Sequence, residues 1–581
     1  TGASSRTVEN KLQESVSVLD FGVIGDGVTD DTVAYCEAMN YCKANSKTLI
    51  ISGTIKIVFS SFPAGTNYAC AVKAGSERAT LSLTGACVWT IVDGFSLENI
   101  DIVTTYTYAN ATATYYHLFT TGAMATSPRI YDSVIRNVTY KQTTITDGSE
   151  RGYGLVQYNG GVTNLVTENL VLEGVREGVV VGSDGHDGET LSAIIGAHYK
   201  NTKASNMQRV FVFGSVVTTG NFGNTGIIVD GMDFINTLVQ RDAYSNASRT
   251  GHSPLIGDSG VNAKITNVHF TYPIEHAMYL YGSKTVIRNF TGYNASDIQL
   301  VGYSTTSMGS GSIHVSWYKN AVAHFAHTTA IVSLRFCEGV DVVVDNFKGT
   351  NLSGGLSGTQ IRPWTVVSLN RVCKSIRVKA TGQYLNRGVV TYGTGSAMEG
   401  VYENIIIDGC HILDPTPTTN FSTHAAINEA TDDARPTLPW WTSPGGNLIE
   451  NLTISNNYFG ATTETADTAE TTTVIGRGRS GSKLKGLAKL INCDGATLYN
   501  NDIDGWAGSN YGFNAAANYN TPIGTGVYVN NVMINEKFNV AAPARNYNFA
   551  YFLPAMSEGS TIEFVGKSNA NNLGINTKIT K

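Results

Sequence analysis

Ser17-Val18-Leu19-Asp20-Phe21-Gly22-Val23-Ile24-Gly25-Asp26-Gly27-Val28-Thr29-Asp30-Asp31-Thr32 is the stretch whose reading decides the fold. It runs from a short apolar strand through a glycine-punctuated turn into the start of a helix. Gly25 and Gly27 can take positive φ without steric cost, and Asp26 tolerates it. Thr29 is placed to N-cap the helix, with Asp30 and Asp31 at the end of the dipole that favours negative charge. Val33, Cys36, Met39 and Cys42 then recur at helical spacing, so the helix carries one apolar face. That face requires an apolar surface to cover.

The rest of the chain supplies one. After the helix, Thr48-Leu-Ile-Ile-Ser-Gly-Thr-Ile-Lys-Ile-Val58 reads as two short strands, and strand and turn alternate almost to the end. One pattern recurs: an apolar residue, a spacer, Asn, then alternating apolar positions. It stands at Leu97-Glu-Asn-Ile-Asp-Ile102, Ile135-Arg-Asn-Val-Thr-Tyr140, Val166-Thr-Glu-Asn-Leu-Val-Leu172 and Ile265-Thr-Asn-Val-His-Phe270. It returns at Ile287-Arg-Asn-Phe290, Val344-Asp-Asn-Phe347, Tyr402-Glu-Asn-Ile405, Ile449-Glu-Asn-Leu452 and Val529-Asn-Asn-Val532. The tightest interval, Asn267 to Asn289, is about 22 residues, within the period of a β-solenoid with loop insertions. In each copy residues alternate inward, and a buried, inward Asn is expected to turn the corner and bond its neighbours in the coils above and below. Matches to Asn-x-Ser/Thr such as Asn137-Val-Thr139 and Asn451-Leu-Thr453 fall on these corners, so they read as structural. A solenoid has to close its ends, and the helix from Thr32 to Lys43 is the expected cap on the first coil.

Composition agrees. Glycine is abundant (61), proline scarce (13) and charged residues make up 15%, which favours an extended all-β surface. The net charge of −6 gives no basis for binding nucleic acid. No apolar run approaches the roughly 18 residues of a membrane span, so no membrane insertion is expected. The eight cysteines form no CxxC pair; buried free thiols are expected, with no metal and no cofactor.

Arg6-Thr-Val-Glu-Asn-Lys-Leu-Gln-Glu-Ser-Val-Ser-Val-Leu-Asp-Phe-Gly22, followed by Gly25-Asp-Gly-Val-Thr-Asp-Asp-Thr32, closely resembles the start of the β-helix of bacteriophage tailspike proteins. The second part alone is similar to the wider pectate-lyase-like superfamily; the upstream segment tilts the resemblance toward phage. The specific match covers some thirty residues, and the coil repeats extend only the fold resemblance. It implies an all-β, right-handed parallel β-helix (β-solenoid) with an N-terminal capping helix, assembled as a homotrimer. It also implies binding, and usually cleaving, a bacterial capsular, O-antigen or exopolysaccharide. The location implied is the virion, acting at the host cell surface. Attachment to the phage tail or baseplate would run through a region preceding Thr1. The expected divisions are a leading neck segment (1–16), the capping strand, turn, helix and first rung (17–58), and the parallel β-helix (59–460). An insert with the last coils (461–539) and a small C-terminal β module (540–581) follow.

Hydrolysis of a glycosidic bond needs two carboxylates, about 5–5.5 Å apart for retention or about 6.5–9.5 Å for inversion. Residues stacked on adjacent coils stand about 4.8 Å apart, so outward acids one coil apart suit either geometry. The best segment is Tyr272-Pro-Ile-Glu-His-Ala-Met-Tyr-Leu-Tyr-Gly282, followed by Arg288 and Asp297-Ile-Gln299. With Met278 and Leu280 inward, Tyr279 and Tyr281 face out as a platform for sugar. Glu275 and His276 sit at the corner before them, and Asp297 lies one tight coil later as the second acid. Arg288 and Gln299 would donate hydrogen bonds to substrate. Glu275 and Asp297 are thus either a catalytic pair or ordinary turn acids. Asp242, in a polar loop expected to run through Asp258, is the alternative second acid. The segment Arg176 to Glu189, with His186, Asp187 and Glu189, reads as a second corner and a surface loop. A lyase, using His276 and Tyr279 on a uronic acid, and a non-catalytic or deacetylating receptor-binding fibre stay open beside the hydrolase.

Overall fold

The computed structural model describes residues 14–413 except 106–107, 110–116, 122–126, 144–149, 183–192, 215–221, 238–252, 320–329, 350–364, 384–387, 393–400 and the single positions 86 and 152. Beyond 413 it describes 448–460 and a series of short strands. Asp242, His186, Asp187 and Glu189 lie outside the described residues, as do most of 1–13 and the insert 461–487. The chain divides into two compact units, Thr1–Val286 and Ile287–Lys581.

In the first unit the opening stretch forms a turn, the strand Asp26–Asp30 and a helix over Thr32–Ala44. The aspartates are occupied locally. Asp31 accepts the N–H groups of Ile24 (2.8 Å) and Gly25 (3.0 Å), and Asp26 accepts those of Val28 and Thr29. Asp30 accepts the N–H of Thr32 at the helix start. Thr29 therefore does not cap the helix: it lies on the strand, and its hydroxyl donates to Asp26. The helix buries Tyr35, Cys36, Ala38, Met39 and Cys42, an arc that leaves Val33 half exposed rather than on the apolar face. It packs on the strands Thr48–Ile51 and Tyr68–Ala69. The seven cysteines whose side chains are described are buried and free.

The strands that follow pair in parallel in three ladders, which the chain visits in rotation. Val134–Arg136, Thr139–Gln142 and Gly154–Tyr158 belong to the three ladders in turn. Val162–Glu168, Val171–Glu173 and Glu177–Val181 pair with them in the next round. Exact register stacks like positions into columns. One interior column runs Leu81, Ile102, Tyr140, Leu172, Ala204, Phe234, Phe270, every member buried. Each large apolar side chain buried in this way stabilises the fold by roughly 1.5–3 kcal/mol.

The recurring asparagines stand at the bends between strands, at positive φ: Asn99 (61°), Asn137 (53°), Asn169 (55°), Asn201 (50°) and Asn267 (58°). They are half-buried or exposed, not inward as the pattern suggests. The left-handed bend turns the side chain out of the core, and asparagine tolerates that conformation better than other residues with a Cβ. Their amides still bond from layer to layer, outside the barrel of apolar columns: Asn137 donates to Asn99 (2.9 Å), Asn169 to Asn137 (2.7 Å) and Asn201 to Asn169 (3.2 Å).

The second unit is also strand-rich. Its long strands Ala330–Lys348 and Thr365–Gln383 pair in parallel, with Val340, Val342 and Val344 opposite Ile376, Val378 and Ala380. Val401–Asp408 continues that ladder, and Thr561–Gly566 pairs antiparallel with Thr577–Thr580. Among the described residues no helix is long and apolar enough to cross a membrane.

Candidate functional site

In the first unit, residues 272–277 form the turn before the strand Met278–Ser283. Met278 and Leu280 are fully buried, while Tyr279 and Tyr281 are half-buried on the opposite face, as period-2 alternation requires. The turn brings Glu275 against His276, with Oε1 3.6 Å from Nε2. Their side chains are 13% and 11% exposed, so neither is a freely solvated surface group. The His276 ring stacks on Tyr279 with centroids 5.4 Å apart and planes 28° from parallel. Tyr279 in turn packs on a cluster of Val180, Val212 and Ile256. Its hydroxyl lies 2.9 Å from that of Tyr281, whose ring stands at 83° to it. Carboxylate, imidazole and two phenols thus form one continuous chain of contacts from the turn onto the strand.

The second unit holds the remaining candidates. Arg288 is exposed on the strand Thr285–Tyr293. Asp297 directly precedes the strand Ile298–Val301 and is 1% exposed, which rules out an ordinary solvated turn acid. Its Oδ2 accepts the Nε2–H of half-buried Gln299 at 3.1 Å. Asp341 is exposed, and Asp345 pairs with His314 at 3.0 Å.

Two acidic groups emerge that the sequence does not announce. Residues 253–258, expected as part of a loop, instead lead into the strand Leu255–Val261, in which Asp258 stands opposite Tyr281. Asp258 is buried, its Oδ2 accepting the Gly223 N–H (2.9 Å) and its Oδ1 the Gly260 N–H (2.7 Å). Burial outweighs those bonds and pushes its carboxyl up to about 6. The signal was the glycine on either side. A Cβ at Gly257 would stand 2.5 Å from the Phe213 carbonyl oxygen, and glycine inside a strand marks such close backbone approach.

The other is Glu177, which falls in the expected second corner. Its Oε2 lies 3.2 Å from His117 Nε2, and its Oε1 3.0 Å from Arg209 Nη1 and 3.6 Å from Arg176 Nε, all four residues being buried. Burial would raise the Glu177 carboxyl, but the close approach of His117 and the two guanidiniums hold it well below the usual carboxylate range. Register assembles the cluster: His117 stands opposite Gly154, and Glu177 opposite Arg209. The missing side chain at Gly154 lets the His117 ring pass, since a Cβ there would come within 2.2 Å of it. Among the described residues no three His, Cys, Asp or Glu side chains converge as a metal site.

No protein-family model matches the sequence. No curated protein matches it either. Among solved structures, a tailspike protein variant of E. coli bacteriophage HK620 is similar at a TM-score of 0.45 and 12% identity, covering 97% of this chain and 82% of that one. The catalytic unit of a thermostable GH87 α-1,3-glucanase from Streptomyces thermodiastaticus gives 0.34 at 12% identity, covering 80% and 69%. A surface adhesin of Streptococcus pneumoniae gives 0.33 at 12% identity, covering 98% and 100%.

Proposed function

We propose that the chain is a parallel β-helical protein of the phage tailspike type that binds and cleaves a bacterial surface polysaccharide by endo-glycosidic hydrolysis. The observation that carries this reading is the contact chain from Glu275 through His276 and Tyr279 to Tyr281. It sets a shielded carboxylate beside aromatic rings, the surfaces on which sugar rings pack. The rotation of the chain through three parallel ladders supports the β-helix, and the N-terminal resemblance supports a homotrimer carried on a virion. Glu275 is one carboxylate of the pair. Asp297 is the second on the spacing of the repeats, with Gln299 and Arg288 as hydrogen-bond donors to substrate.

Asp258 competes for the role of acid, because a carboxyl held near pH 6 keeps its proton where a general acid needs it. A lyase is the other reading, favoured by the contact between Glu275 and the His276 imidazole, which suits that ring to take a proton from a uronate.

The test is incubation with capsule, O-antigen and exopolysaccharide from candidate hosts, with reducing ends and the ultraviolet absorbance of an unsaturated uronate read together. Hydrolysis gives new ends without absorbance, and a lyase gives both. Glu275→Gln should lower the rate by roughly 10²–10⁴-fold. The same loss in Asp297→Asn or in Asp258→Asn identifies the partner. Full activity in both variants moves the second acid to Asp242, and full activity in Glu275→Gln removes the site assignment.

A further inference from the structure

The column of asparagines at the bends of the first unit has one gap. Successive layers place Asn99, Asn137, Asn169, Asn201, Gly231 and Asn267 in register, because the preceding residues Glu98, Arg136, Glu168, Lys200, Asp230 and Thr266 are paired in turn. Gly231 has the same left-handed backbone as its neighbours, at φ 77°. The amide bonds run unbroken from Asn99 to Asn201 and stop there. On the far side, Asn267 donates to Asp230 Oδ1 (2.7 Å) in the layer of the glycine.

The side chain that Gly231 lacks leaves a space. That space is part of a larger open groove of about 540 Å³, whose lining includes Asn169, Asn201 and Asn267 with Val171, Thr202 and Met232 between them. Lys203 and Asp233, paired in adjacent layers and both exposed, stand on its rim. A Cβ at Gly231 would come 3.0 Å from Asn201 Oδ1, so that carbonyl oxygen is aimed into the gap. The volume falls within the roughly 300–1,000 Å³ of small-molecule sites. The wall mixes amide donors and acceptors and the Thr202 hydroxyl with one cation, one anion and the apolar side chains of Val171 and Met232. Such a wall suits a ligand whose every group both donates and accepts, which is the hydrogen-bonding character of a sugar hydroxyl. The cavity belongs to the ladder of Thr225–Ile235 and its neighbours, whereas Tyr279 belongs to the ladder of Leu255–Val261 and Met278–Ser283.

We propose that this gap is a second, non-catalytic saccharide site, which seats one hexose unit of a polysaccharide on the asparagine column at Gly231. The identity of the ligand rests on the polysaccharide reading above; the site itself rests on the gap and its cavity. Holding the polymer at a point away from Glu275 would raise the effective concentration of its other units at the cleaving site.

The experiment is saturation-transfer NMR on the full chain with methyl glucoside, methyl galactoside, methyl rhamnoside and N-acetylglucosamine as separate probes. At least one is expected to receive saturation from the wild-type chain. Gly231→Asn should complete the column, since asparagine already adopts this backbone at five positions in it, and should weaken binding of that sugar about tenfold or more. If that variant does not fold, Asp233→Ala, on the exposed rim, carries the same expectation. Glu275→Gln should leave the signal in place. Binding that is undiminished in both Gly231→Asn and Asp233→Ala overturns the proposal, and so does a wild-type chain that binds none of the four probes. Reducing ends are measured separately: binding that depends on Gly231, without cleavage of any polymer, sinks the catalytic reading and leaves the site standing.

Discussion

Glu177 carries its charge where water does not reach it, and that fixes what its neighbours must do. A buried carboxylate is costly unless it is paired and hydrogen-bonded. Here His117, Arg209 and Arg176 converge on its two oxygens. Removing the carboxylate charge would take a counter-ion away from two buried guanidiniums. Glu177→Gln is therefore expected to destabilise the first unit by about 3–5 kcal/mol. Denaturant unfolding at neutral pH checks this, and an unchanged midpoint would show that the cluster does not hold the fold. None of this was visible in the sequence, because His117, Glu177 and Arg209 are brought together only by register across coils of unequal length. Glu275, His276, Tyr279 and Tyr281 were legible because they are neighbours on one turn and one strand, where alternation alone assigns the faces. Asp258 was hidden for a third reason: Gly-Asp-Ser-Gly has the composition of a turn, and only the close approach of the Phe213 backbone to Gly257 and of the Asn224 backbone to Gly260 explains its glycines.

A strand in this protein is defined less by its own residues than by the strands stacked on either side of it. Gly154 shows the point. Its strand, Gly154–Tyr158, lies between His117–Thr120 and Glu177–Val181, and the missing Cβ opens the path along which His117 reaches Glu177 across a layer. Gly154→Ala would place a methyl group 2.2 Å from the ring, and no rotation of an alanine relieves that. The expected cost is about 1–3 kcal/mol, the range for overpacking a filled core. Shortening the opposing side chain in the same molecule, His117→Ala with Gly154→Ala, should recover part of it. A double-mutant cycle on thermal unfolding measures the recovery, and strict additivity would mean that the two residues do not meet. The bends behave likewise. The asparagine repeat announced bends stacked in register between parallel strands, since asparagine tolerates φ near +55° and recurs at them even though the intervals vary. Its burial was misjudged because the alternation of a strand was carried through a position that is not extended. The helix cap was misplaced at Thr29 for a related reason: a threonine before acidic residues looks like a cap, yet the chain spends Asp26 to Asp30 as a strand pairing with Thr54–Val58.

For the molecule as a whole, two buried carboxyls pull stability in opposite directions with pH. Asp258 has its folded value raised from 3.8 to about 6 by burial. Between those values the folded protein keeps a proton that the unfolded chain releases, so stability falls as pH rises through the window. The full penalty, present above about pH 6, is on the order of 3 kcal/mol. Glu177 has its folded value depressed below 4.5, principally because His117 and the two guanidiniums outweigh its burial. Its contribution is present above that pH and is lost as pH falls below it, when the folded state resists a proton that the unfolded chain accepts. Thermal unfolding from pH 3 to pH 8 at fixed ionic strength should therefore show two separable limbs. Asp258→Asn should flatten the fall between about pH 4 and pH 6 and leave the acid limb in place. Glu177→Gln should flatten the acid limb below about pH 4.5, at lower stability throughout, and leave the fall above it. A wild-type fall between pH 4 and pH 6 that persists unchanged in Asp258→Asn would mean that the Asp258 carboxyl releases its proton as readily folded as unfolded. The proton required of a general acid would then have to come from a different residue.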